Sequence, residues 1–142
     1  MIIKKSIGMI LFRDKEGKRE YLVLRRKGGD RYWGFAKGTP EERETEIQTG
    51  IREAKEETNL KTINLVEGYK EAERYYFEED EENYDKTVIF FLGKVLDDFD
   101  GNVSKEHEKL RWLKYEDALN LITHDNDKAL LKKAEEKITS QK

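Results

Sequence analysis

Glu53, Glu56 and Glu57 are the residues of this chain best placed to do chemistry, and Arg52, Glu44 and Gly38 precede them at set separations. The stretch reads Gly38, five residues, Glu44, seven residues, then Arg52-Glu53-Ala54-Lys55-Glu56-Glu57-Thr58-Asn59-Leu60. On a helix over residues 46 to 58 the three glutamates stand at i, i+3 and i+4, so they leave one face within about one turn. Like charges that close repel one another. An all-oxygen cluster of this kind is what hard divalent ions such as Mg2+ or Mn2+ take as ligands.

The rest of that helix must hold the acids in place. Ile47, Ile51, Ala54 and Thr58 draw a narrow apolar stripe at i, i+4, i+7 and i+11, about a third of a turn or more from the acids. One side is expected to pack and the other to work. Asn59 follows the last periodic residue, where a left-handed residue commonly ends a helix and Asn substitutes for Gly. The competing reading of the three acids is a solvated helix face, the usual fate of a charge run; the full set of spaced positions favours the metal.

At 142 residues the chain is long enough for one ordinary domain, and residues 1–142 are expected to form it. Charged residues make up 42% and hydrophobic residues 36%, with 11% aromatics, which describes a folded protein with a heavily ionic surface. The absence of Cys excludes disulfides, thiol catalysis and cysteine zinc sites, and two His leave little for histidine-based metal binding. Carboxylates must therefore carry any metal. A net charge of −3 is too mild for a nucleic-acid scaffold, so no stable nucleic-acid partner is expected. No apolar run has the length of a membrane span or a secretory leader, which makes a cytoplasmic protein with no membrane partner the expectation.

Elements follow from local patterns. Ile7 to Phe12 and Tyr21 to Leu24 read as a hairpin around Asp14-Lys15-Glu16-Gly17-Lys18, and Gly28-Gly29-Asp30 breaks the pattern before Tyr32-Trp33-Gly34-Phe35. Ile63 to Phe77 and Thr87 to Val95 read as two long strands joined by an acidic, turn-rich segment from Glu78 to Asp85. Sheet continues to Leu110-Arg111-Trp112-Leu113. Tyr115 to Ile122 and Asp127 to Ile138 then take helical periodicity, with Leu130, Leu131, Ala134 and Ile138 in one stripe. Helices on both faces of a mixed sheet are expected. Arg25, Arg26, Lys27, Arg31 and Lys37 form a basic cluster close in sequence to the acids, and Lys37, beside Gly38, is the one expected to touch phosphate.

The spacing from Gly38 to Leu60 resembles the signature of the Nudix hydrolases. Every charged position of that signature is present; Asn59 replaces its second Gly, and Glu42-Arg43 stand where many members have Pro-Gly. The resemblance implies an α/β fold, a Nudix-type α/β/α sandwich around a mixed β-sheet, and metal-dependent hydrolysis of a pyrophosphate bond. It further implies that Glu56, Glu57 and the Gly38 carbonyl are metal ligands. Glu53 would be another ligand or the base for the attacking water, Arg52 would hold the carboxylates by ion pairing, and Glu44 would support the loop before the helix.

Segments outside that box resemble the asymmetrical diadenosine tetraphosphate hydrolase branch: Tyr32 to Gly38, Val66 to Lys70, Lys86 to Ile89, and Ser104-Lys105-Glu106-His107 running on to Leu113. By this resemblance Tyr75 stacks on a base, Lys86 contacts phosphate, and Glu106 is a carboxylate near the metals that could itself be the base. His107 either hydrogen-bonds phosphate or caps a loop, and Trp33 and Trp112 are core residues. Ala36 replaces a common Pro, and an acidic insertion from Glu78 to Glu82 is expected to lengthen a loop. The implied partner is a small-molecule nucleotide, with the chain a monomer or homodimer. Other Nudix substrates (a nucleoside triphosphate, ADP-ribose, an inositol pyrophosphate or a capped RNA end) and a non-catalytic nucleotide-binding domain are the alternatives.

Overall fold

The computed structural model describes residues 1–27, 32–103 and 107–140. Glu106 and Arg31, the Gly28-Gly29-Asp30 break and Ser104-Lys105 lie outside the described residues. The elements run β1 (Ile2–Lys15), β2 (Lys18–Arg26), β3 (Trp33–Gly34), β4 (Ala36–Gly38), α1 (Glu46–Thr58), β5 (Ile63–Leu65), β6 (Glu71–Glu79), β7 (Glu82–Val95), β8 (His107–Leu113), α2 (Tyr115–Leu121) and α3 (Asp125–Ser140).

One mixed sheet carries the fold. β1 and β7 lie parallel at its centre, from Ile2 beside Tyr84 to Phe12 beside Lys94, and the other pairings are antiparallel. The central strands are covered on both sides, which is why Ile7–Phe12 and Val88–Leu92 read as unbroken apolar runs. The pleat divides them. Ile7, Met9, Leu11, Ile89 and Phe91 face α1 and its Ala54, while Ile10, Phe12, Val88, Phe90 and Leu92 face α2 and α3. This is the expected α/β/α sandwich.

The sheet splits at one end. β1 and β2 pair only from Phe12 opposite Tyr21 to Lys15 opposite Lys18, then diverge. The segment Trp33–Gly38 enters the gap, β3 pairing with β2 at Leu24 opposite Gly34 and β4 with β1 at Met9 opposite Ala36.

Two expectations need correction. Ile63–Phe77 is not one strand: β5 and β6 are separate, broken around Gly68 at φ +87°, where Tyr69 turns inward and donates to the Leu130 carbonyl at 2.8 Å. The acidic segment is not a long loop either. β6 and β7 continue to Glu79 and Glu82 and close through Asp80 and Glu81, both left-handed, with Phe77 stacked on Tyr84 at 5.0 Å between ring centroids. That aromatic pair holds together strands whose acids disfavour sheet.

The α1 stripe is displaced as well. Ile47 is 39% exposed, and the buried face runs through Thr49, Gly50, Ala54, Glu57 and Thr58. Gly50 is what lets the helix approach, since an added Cβ would stand 3.2 Å from Met9 and 3.3 Å from Ile7. A capping box between Thr45 and Gln48 starts the helix, and Asn59 ends it at φ 60° with its N–H donated to Lys55 O at 2.8 Å.

Gly8 shows how tight the centre is, because an added Cβ would overlap the ring of the buried Phe90, itself edge-on to Phe35. Gly8→Ala should therefore lower stability by about 1–3 kcal/mol through overpacking. Urea unfolding should show the midpoint falling with an unchanged slope; an unmoved midpoint would mean that the ring yields freely.

Candidate active site

The acids of α1 are organised by Arg52. Its Nε and Nη2 donate to Glu44 at 2.6 and 3.0 Å, its Nη1 to Glu53 at 2.8 Å and Glu56 at 3.2 Å, and its Nη2 to the Thr39 carbonyl at 3.1 Å. Glu44 also accepts from the Glu41 N–H at 2.9 Å and the Thr49 hydroxyl at 2.7 Å. The Arg52 bond, then those from Glu41 and Thr49, lower the Glu44 pKa to about 2, and Arg52, held first by Glu44, is shifted upward. Glu44 thus ties the loop before α1 to the helix.

Gly38 meets the same cluster from β4. A Cβ there would overlap the Glu53 carboxylate, so this position admits no side chain while Glu53 keeps its place. Glu57, only 3% exposed, turns into the protein, with Oε1 3.5 Å from His107 Nδ1 of β8. This corrects the expectation of one shared acidic face. Helical spacing aligns the backbones of the three acids, but the buried side of α1 takes Glu57 while the Glu56 side chain stays 57% exposed. Among the described residues, no three acidic or histidine side chains are gathered to hold one metal ion. The donor set still suits a hard divalent cation: every side-chain donor is a carboxylate, Glu53 and Glu56 already share one cationic partner, and Gly38 leaves the Glu53 carboxylate against the backbone. Asn102 and His107 both meet α1, the Asn102 N–H donating to Thr58 O at 2.8 Å and His107 lying beside Glu57.

Alternation along β4 sends Lys37 to the opposite face from Gly38. There a cavity of about 380 Å³ is lined by Tyr32, Lys37, Tyr75, His124, Asp125, Asn126 and Asp127. Tyr75 donates its hydroxyl to the Glu73 carboxylate, and Lys86 stands opposite Tyr75 in the sheet register. Burial, then the nearby charges of Lys37, Arg26 and Lys4, depress the Lys86 pKa. Such a cluster of cations calls for an anionic occupant. Trp33 fastens β3 to the loop before α3: its N–H donates to the Thr123 hydroxyl at 2.9 Å, and its carbonyl accepts from Thr123 N–H at 3.2 Å.

The structure thus gathers Lys37, Lys86 and Tyr75 on one face and Gly38, Glu44, Arg52, Glu53 and Glu56 on the other. His107 joins Glu57 on the α1 side and does not line the cavity with Lys37. Sequence reading missed Lys4, Tyr32, His124, Asn126 and Asp127. Available signals were the Tyr32-Trp33 pair and the scarcity of His; Asp127, near a helix start, reads as ordinary first-turn charge.

An acidic helix and an aromatic pocket carrying Lys37, joined through one strand, suit a chain of phosphates, and likeness to known proteins gives the class: a pyrophosphohydrolase with a mixed sheet between helices. The chain belongs to the Nudix family, its residues 3–134 matching the NUDIX domain. It is 30% identical over 145 residues to a bis(5′-nucleosyl)-tetraphosphatase (asymmetrical) of Sus scrofa, with 96% of each chain covered. It is also 30% identical over 132 residues to the enzyme of that name from Caenorhabditis elegans, covering 93% of this chain and 94% of that one. A crystal structure of a C. elegans Ap4A hydrolase binary complex superposes with a TM-score of 0.84 at 28% identity, covering 96% of this chain and 98% of that chain. Members of the family generally use divalent metal ions. No helix among the described residues is long and apolar enough to cross a membrane.

The Arg52 network sets an acid limb for stability. A carboxyl held lower in the folded chain than its ordinary 4.5 favours folding above that pH, and the stabilisation is lost as pH falls from there toward about 2. In Arg52→Gln the Glu44 carboxyl should titrate closer to 4.5 and acid unfolding should begin at higher pH. NMR titration of Glu44 with acid-unfolding midpoints checks this, and an unchanged Glu44 titration would show that Arg52 does not set it.

Proposed function

We propose that the chain, acting as one Nudix domain over residues 1–142, hydrolyses diadenosine tetraphosphate asymmetrically to ATP and AMP in the cytoplasm, using Mg2+ or Mn2+. The observation that carries this reading is β4. It sets Lys37 in the aromatic cavity and Gly38 against the Glu53 carboxylate, so one extended phosphate chain passing this strand meets both. The similarity to asymmetrical tetraphosphatases along nearly the whole chain supports the same substrate.

Tyr75 and the neighbouring aromatic rings receive a base, while Lys37 and Lys86 neutralise phosphate oxygens. Lys86, with its pKa lowered by burial and like charge, gains from an anion there. Arg52 fixes Glu53 and Glu56, and Glu44 holds Arg52. Glu56, Glu57 and the Gly38 carbonyl, with Glu53 as a further ligand, would between them hold divalent ions, which when bound neutralise phosphate charge and acidify water. The attacking water gives its proton to a carboxylate, Glu53 or Glu106; its oxygen bonds to one phosphorus as a P–O–P bridge breaks, releasing AMP and ATP.

Chromatography of products from diadenosine tetraphosphate should show equal ATP and AMP. Two ADP, or no turnover, rejects the substrate, and cleavage of another pyrophosphate from a panel of nucleoside triphosphate, ADP-ribose, inositol pyrophosphate and capped RNA replaces it.

Glu56→Gln and the double variant Glu56→Gln/Glu57→Gln should lose turnover by orders of magnitude, with the exposed Glu56 change leaving the melting temperature nearly unmoved. Full turnover in the double variant would remove these acids from the chemistry.

A further inference from the structure

Arg52 orders Glu53 and Glu56, whereas Glu57 leaves the buried flank of α1 and faces the start of β8. Its carboxylate and the His107 imidazole are each only 4% exposed, with Oε1 3.5 Å from Nδ1. That meeting depends on an irregularity in the sheet. β8 pairs with β2 residue for residue from Leu113 opposite Tyr21 to Lys109 opposite Arg25, but the next step on β2, to Arg26, takes two steps on β8, to His107. Glu108 is the extra residue of a β-bulge, and it pairs with Arg25 at 3.1 Å. Leu110 and Trp112 pack on the α1 side, so plain alternation would send Glu108 to that side and His107 to the cavity face. The bulge reverses the parity, and His107 meets α1 instead. Upstream, the Asn102 N–H already fastens the chain to the same turn of helix, at the Thr58 carbonyl.

A buried carboxylate is costly unless a donor meets it. Where that carboxylate is also to hold a cation, the donor should bring no fixed positive charge, because an Arg or Lys in its place would repel the ion. A neutral imidazole satisfies both conditions, with one N–H to give and no charge. We propose that His107 is a positioning residue for Glu57: the bulge in β8 delivers its imidazole to the Glu57 carboxylate and holds that carboxylate ready as a donor to divalent ions. His107 then touches neither the ion nor phosphate and acts through Glu57 alone. The inference rests on the metal-dependent hydrolase reading and adds to it a residue from a strand that the acidic helix does not contain. Removing an outer partner of this kind costs about 10–100-fold in metal affinity.

Calorimetric titration of the nucleotide-free protein with Mn2+ tests this without catalysis. His107→Leu, which keeps apolar bulk and donates nothing, should weaken Mn2+ binding by about tenfold or more, while melting in EDTA shows whether it is folded. His107→Asn places a carboxamide N–H near the position of Nδ1 and should stay within about threefold of wild type. The Mn2+ concentration for half-maximal turnover should rise in the Leu variant with turnover at saturating Mn2+ held within about threefold, a split that general damage to the fold does not give. A folded Leu variant that binds Mn2+ as wild type does, or an Asn variant as weak as Leu, overturns the proposal and leaves the hydrolase reading in place. Metal capture that follows residue 107 in a protein without turnover keeps the proposal and removes the substrate, whereas a wild type that captures no Mn2+ removes the metal reading and the proposal together. Should the Leu variant not fold, NMR of wild type decides: the His107 ring should carry its proton on Nδ1 and its signals should move as Mg2+ saturates the protein, and a bare Nδ1 or unmoved signals overturn the proposal.

Discussion

Glu41, Glu44, Glu53 and Glu56 crowd the approach to α1 and its middle turns, and a single guanidinium lies among all four. A lysine could not take this place. The planar fork of Arg52 gives one edge to Glu44 and one nitrogen to Glu53 and Glu56, and it still reaches the Thr39 carbonyl. Isolated exposed ion pairs contribute little, but here each bond fixes a different piece of chain: the loop after β4, the residue before the helix cap, and two turns of helix. The Gly38 and Glu53 approach depends on that fixation, because a loop free to shift would open the space that only a glycine leaves.

The same strand explains why the acids and the cavity belong together despite lying on opposite faces. β1 and β2 diverge after four paired positions, and β3 and β4 fill the opening. Side chains of successive residues point to opposite faces, so the neighbours Lys37 and Gly38 serve the cavity and the acids respectively. On the cavity side Thr123 clips β3 to the loop before α3, and on the acidic side Arg52 clips the loop after β4. Both faces of the site are therefore referred to one short piece of backbone.

Much of this was readable from residue order. The span of α1, its Asn59 terminus, the hairpin through Gly17 and the buried stripe of α3 all follow from periodicity and turn chemistry. Periodicity failed where tertiary contact decides. Nothing in the spacing of Ile47, Ile51 and Ala54 says that the sheet takes the flank with Gly50, and that choice buries Glu57. Glu79, Asp80 and Glu81 read as loop because acids are depleted in strands, whereas the stack of Phe77 on Tyr84 spans two strands and is invisible to a local reading. The cavity is assembled from Tyr32 before β3, from β4 and β6, and from His124 and the first turn of α3, and no window along the chain contains its lining.

That hairpin has a stricter role than extending the sheet. Glu73, Tyr75 and Phe77 of β6 and Tyr84 and Lys86 of β7 all emerge on the cavity face, with Tyr75 opposite Lys86 and Phe77 opposite Tyr84. Lys4 of β1 lies over the Tyr84 ring at 4.9 Å, and Arg74 reaches Asp85 from the opposite face with bonds of 2.9 and 2.6 Å. A slip of one residue in this pairing would send Tyr75 or Lys86 to the other face, whatever the rest of the fold did. The aromatic stack on one side and the two-bond ion pair on the other each disfavour that slip. Pairing register at the far end of the hairpin therefore reaches the site directly, by deciding whether a ring and an ammonium group meet beside Lys37.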